Sequence, residues 1–125
     1  MKKYALFGVL ALAMASTVVM AHGPAKAQYG GIVQTAGDLS FELVTQGTGA
    51  VIYVVDHDKP ADVRNATGKL TVLNGTEQSE GEIKPSQGNK LEVANVKLGK
   101  GAKAVAAISG LEGKTVTVRF TVPSK

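Results

Sequence analysis

The chain of 125 residues contains two histidines, and both stand in surroundings that could do chemistry. His22 directly follows a long apolar run, whereas His57 stands between Asp56 and Asp58, shortly before Pro60. Imidazole nitrogens and carboxylate oxygens are donors that suit tetragonal Cu(II) best, with Zn(II) or Ni(II) next. The two segments predict a metal site with His22, His57, Asp56 and Asp58 as ligands. The alternative for the second segment is a solvated polar strand end.

The role of His22 depends on how the N-terminus is processed. Lys2 and Lys3 precede an uncharged apolar stretch, residues 4–20, which is typical of a secretory signal peptide. A cut after Ala21 makes His22 the first residue, so that its free amine and Nδ1 can chelate a metal and His57 can add a third nitrogen. This arrangement is called a histidine brace. An alternative cut after Ala27 removes His22 with the leader.

The predicted organisation is therefore a signal peptide (1–21), a flexible N-terminal arm (22–31) and one β-domain (32–125). Tyr29, Gly30 and Gly31 are the residues that could anchor the arm to the domain. The exported protein is expected in the periplasm, without a stable membrane anchor once the leader is cut.

Composition excludes several classes of function. The chain has no Cys, and its three Met all lie in the predicted leader, so a thiolate or thioether site for Cu(I) is excluded. The net charge of +4 is spread along the chain and includes the two leader lysines, which argues against a nucleic-acid partner. No Gly-x-Ser-x-Gly elbow or phosphate loop is present. We therefore predict no enzyme activity, no catalytic residues and no organic cofactor.

The elements that must position these residues are strands. Residues 115–122 alternate apolar and polar side chains, and residues 39–43 do the same. Residues 50–55 are continuously apolar, which is typical of a strand covered on both faces. Asn74-Gly75 predicts a hairpin. Seven to eight short strands indicate an all-β fold, an antiparallel two-sheet sandwich of the immunoglobulin-like or a related Greek-key type.

Several short motifs carry a family resemblance over the predicted mature chain. They are His22-Gly23, YGGIV (29–33), GDLSFELV (37–44), YVVDHDKP (53–60) and the VTVRF ending. With them the chain resembles small periplasmic proteins found alongside heavy-metal efflux systems. It is also similar to an N-terminal β-domain of some periplasmic adaptors of heavy-metal exporters. Those proteins are expected to carry His-Gly-Gly where this chain has Tyr29-Gly30-Gly31, so one ligand of that pattern is missing here.

Two functions follow as hypotheses. The first, favoured by the resemblance, is a periplasmic Cu(II) or Zn(II) buffer or carrier in heavy-metal resistance, with an efflux component of the envelope as its partner. The second is a metal-free interaction module that docks on an envelope partner through a sheet edge or through the N-terminal arm.

Overall fold

The computed structural model of the protein describes residues 26–124. The predicted signal peptide and His22 therefore lie outside the described residues. All regular structure between residues 26 and 124 is strand, so the antiparallel all-β prediction is confirmed. No helix in that range is long and apolar enough to cross a membrane.

Nine strands make up the described domain, one of them only two residues long. Their bounds are β1 Ile32–Ala36, β2 Leu39–Gln46, β3 Gly49–Asp56, β4 Lys59–Pro60, β5 Thr67–Asn74, β6 Glu77–Pro85, β7 Lys90–Val93, β8 Lys103–Leu111 and β9 Lys114–Thr121.

The strands form one antiparallel sheet that curls until it is nearly closed into a barrel. Eight strands follow each other in the order β1-β2-β3-β7-β6-β5-β8-β9, and β4 pairs with the end of β3. At the two ends of this path, β1 and β9 lie beside each other without pairing. The curled sheet is compatible with the predicted sandwich, because both halves contribute side chains to a single core.

The core follows the alternation of the sequence. In β9, Val118 and Phe120 are buried, whereas Thr117, Arg119 and Thr121, which alternate with them, are exposed. Phe41 in β2 is fully buried. Val51 and Ile52 in β3 point to opposite faces and are both buried, as predicted for a strand covered on both sides. The exception is Glu42, a charged residue that is only 6 % exposed.

Tight turns join the paired strands. The β5–β6 hairpin forms where predicted, but its two loop residues are Gly75 and Thr76, and only Gly75 has a positive φ, of 62°. Asn74 instead ends β5, and its side chain binds the β7–β8 connection through the carbonyl of Lys97 and the N–H of Gly99. The Asn-Gly pair therefore marks a turn and also ties two loops together.

Candidate metal centre at the His57 turn

His57 and Asp58 are the two loop residues of the hairpin between β3 and β4. Their φ angles are 50° and 70°, a left-handed pair that two-residue hairpins of type I′ require. His and Asp are among the non-glycine residues that adopt this region most readily. Because Asp56 pairs with Leu39 across the sheet, the preceding turn at Gly37 and Asp38 lies beside the His57 turn.

This arrangement places a carboxylate near each nitrogen of the His57 ring. Nδ1 lies 2.6 Å from Oδ1 of Asp56, and Nε2 lies 3.5 Å from Oδ1 of Asp38. The His57 side chain is 70 % exposed, so a dissolved ion can reach it directly. Asp56 thus fixes the orientation of the ring and leaves Nε2 facing Asp38 and solvent.

The β8–β9 turn brings a third carboxyl group to the same end of the barrel. The pKa of Asp56 is lowered by a hydrogen bond with Glu112 and then by the bond with His57. The pKa of Glu112 is raised, because its carboxyl group shares that hydrogen bond with Asp56. The pKa of His57 is raised by the hydrogen bond with Asp56 and by the charge of Asp38. We call Asp38, Asp56, His57 and Glu112 the turn cluster.

The structure brings two of the four predicted metal ligands into direct contact. Asp56 and His57 are brought together, with Asp56 on Nδ1 rather than at the open nitrogen. Asp58 lies in the same turn and borders a cavity on the outer face of the sheet. His22 lies outside the described residues. Within residues 26–124, no three His, Asp or Glu side chains stand close enough together to hold a metal ion as they are.

The sequence reasoning missed Asp38 and Glu112, the two members of the turn cluster that come from other hairpins. A signal for each was present, because Gly37-Asp38 and Glu112-Gly113 are glycine-containing pairs between strand patterns. Local sequence patterns do not give the strand register, and it is the register that places these turns beside His57.

A third missed residue, Glu42, anchors the chain just before β1. Its Oε1 accepts the backbone N–H of Gln28, and its Oε2 accepts those of Tyr29 and Gly31, each at 2.8 Å. The ring of Tyr29 stacks on Tyr53 with centroids 3.8 Å apart and planes 12° from parallel. Residues 28–31 of the predicted arm are therefore bound to the sheet, and we call them the anchored segment.

No protein-family model, no curated protein and no solved structure matches this chain.

Proposed function

We propose that the protein is an exported binding protein for a divalent transition-metal ion, Cu(II) or Zn(II), and that it buffers or carries the ion in heavy-metal resistance. The observation that carries the proposal is the His57 ring with Asp56 on Nδ1 and Asp38 beside Nε2.

The hydrogen bond to Asp56 is the first support. Metal-binding histidines usually donate their other ring N–H to a carboxylate or a carbonyl group, which selects the tautomer and makes the free nitrogen a better ligand. With Nδ1 on Asp56, the nitrogen left for the metal is Nε2, and the neighbouring carboxylate of Asp38 provides an oxygen donor within 3.5 Å of it.

The incomplete ligand set fits a buffer or carrier better than a structural site. Structural zinc sites are closed by four protein ligands. Here one nitrogen and one carboxylate stand at an exposed turn, so water, a partner or the predicted ligand His22 would complete the coordination. A site of this kind exchanges its ion easily, as a protein that passes metal to an efflux component must do.

Replacing the imidazole without disturbing the turn tests the proposal. We expect His57→Asn to lower Cu(II) affinity at least about tenfold, because Asn keeps the positive φ but removes Nε2. The measurement is a Cu(II) and Zn(II) titration of the exported, processed protein against a competing chelator. Asp62→Asn is the matched control, since it removes an exposed carboxylate that is paired with Arg64 instead. Equal affinity in wild type and His57→Asn would reject the metal site.

A second candidate, the metal-free interaction module, is favoured by the outer face of β1, β2 and β3. Tyr29 is 50 % exposed there, and Val33, Tyr53 and Val55 border the same cavity. An apolar surface of this kind suits an envelope partner. If His57→Asn leaves metal affinity unchanged, this surface becomes the preferred site of function.

A further inference from the structure

The anchored segment is held to the sheet by three hydrogen bonds to one buried carboxylate. A carboxylate can be buried at low cost only when it is hydrogen-bonded, and within the described residues Glu42 is the one buried charged side chain. Its partners are three backbone N–H groups of the anchored segment, and hydrogen bonds to an ionised acceptor are stronger than neutral ones. The segment and the carboxylate therefore depend on each other.

The two glycines of the segment have different roles in this contact. A Cβ at Gly31 would collide with the carbonyl oxygen of Leu43 and lie 2.7 Å from Cγ2 of Val44, so only glycine lets the chain lie against β2. Gly30 has a φ of 74° and open space around it, so glycine is favoured there by the backbone conformation and not by lack of room. Gly31 is required for close approach, whereas position 30 requires only a residue that tolerates a positive φ.

A cavity of about 250 Å³ extends from the anchored segment toward the His57 turn. Glu42 and Tyr53 line one part of it, and Asp58 lines another. Lys26, two residues before the anchored segment, also lies along the cavity. The contacts of Glu42 thus place the start of the described chain on the path that leads to the turn cluster.

We propose that Glu42 is a positioning residue for the metal site, and that the cavity is the docking groove for residues 22–25 of this chain. Glu42 holds the anchored segment so that the preceding residues lie along the cavity and bring His22 to His57. The metal role of this delivery rests on the proposed function above, whereas the docking of residues 22–25 does not.

Length and charge both support this occupant. His22 is four positions before Lys26, a separation of at most about 14 Å in extended chain. Asp58, the residue next to His57, is one of the residues that line the groove. A leader cut after Ala21 would leave a positive amine on His22, and the carboxylates of Asp38 and Asp56 at this end of the barrel attract positive charge.

The docking is tested first, without metal. The chain has no cysteine, so Ala25→Cys gives a single site for a nitroxide label. We expect the label to broaden the NMR amide signals of Ser40 and Asp58 in the exported protein. Adding Glu42→Gln should abolish this broadening and speed amide exchange at Gln28, Tyr29 and Gly31, because the amide group cannot accept all three N–H bonds.

Gly31→Ala provides a second way to displace the segment, and Gly30→Asn is its matched control. Asn tolerates the positive φ and meets open space at position 30, so Gly30→Asn should keep the broadening. Broadening that survives both Glu42→Gln and Gly31→Ala would overturn the proposal. An intact mass showing that residues 22–27 are absent from the exported protein would overturn it as well.

The metal role is tested by combining variants. We expect Glu42→Gln to lower Cu(II) affinity about tenfold, the scale of changes in residues that orient metal ligands, and to have no further effect in a His22→Ala background. Equal affinity in wild type and Glu42→Gln, with the label released, would reject the positioning role. If wild type and His57→Asn bind Cu(II) equally weakly, the proposed function fails, and the label experiment still decides the docking.

Discussion

Two carboxylate environments of the molecule, the Glu42 side chain on β2 and the turn cluster at one end of the barrel, behave in opposite ways. Glu42 is 6 % exposed, and both of its oxygens are occupied by backbone N–H groups of residues 28–31. The turn cluster around His57 is open to water, and its carboxyl groups interact with each other and with one imidazole.

The difference shows how burial separates a structural carboxylate from one available to a ligand. Both carboxylate oxygens of Glu42 already accept backbone N–H groups, so a cation would have to displace three hydrogen bonds. Asp38 touches only an exposed imidazole ring, so water or a metal ion can replace that contact with little loss.

Removing the buried carboxylate should give the largest effect on stability. We expect Glu42→Ala to lower the free energy of unfolding by about 2 kcal/mol, because three N–H groups lose a charged acceptor and must turn to water. Urea denaturation of the purified protein measures the change. Thr117→Ala, an exposed position on β9, is the control. A loss well below 1 kcal/mol would mean that the anchored segment is only loosely held.

The turn cluster should respond in the opposite way, with ligand affinity changing and stability unaltered. We expect Asp56→Asn to weaken Cu(II) binding about tenfold, because the orienting acceptor on Nδ1 loses its charge. The denaturation midpoint should stay that of wild type, since the contact between Asp56 and His57 is at an exposed turn. Chelator competition and urea denaturation on the same samples give both quantities. A clear drop in the midpoint with unchanged affinity would reverse the assignment of the two environments.

The smallest effect is expected at Asp62, an exposed carboxylate paired with a guanidinium. Hydrogen bonds from Arg64 lower the pKa of Asp62 from 3.8 to about 2. Since the folded-state pKa is depressed, the contribution to stability is complete above 3.8 and is lost as the pH falls through about 2. The stability of Asp62→Asn should therefore fall less steeply than that of wild type over this acid range, as followed by thermal unfolding. Identical slopes would show that the pair does not persist in solution.

Much of the fold could be predicted from local patterns in the sequence. The alternation in residues 115–122 predicted the buried face of β9, because burial in a strand follows a period of two. The apolar run at residues 50–55 predicted cover on both faces of β3, and there Tyr53 and Val55 are only half-buried on the outer face. The same rule failed to mark Glu42 as buried. Alternation correctly assigns it to the outer face, but it cannot show that residues 28–31 cover that face.

Only part of the candidate site could be predicted from the sequence. Asp56 and His57 were identified from their residue types and their place at a strand end, whereas Asp38 and Glu112 were missed. Asp38 is 19 positions from His57 in the sequence, and Glu112 is much further away. Only the pairing of Leu39 with Asp56 and the curl of the sheet bring these turns together.

The sequence by itself determined the all-β class, the absence of cysteine and the chemical character of the Asp-His-Asp turn. These depend on composition and on side-chain periods, which are local properties. Tertiary structure alone decided which carboxylate is buried and which surround His57. Strand register and sheet closure bring together residues that are distant in the chain, and the resulting difference in solvent exposure makes one carboxylate an anchor and leaves the others open to water.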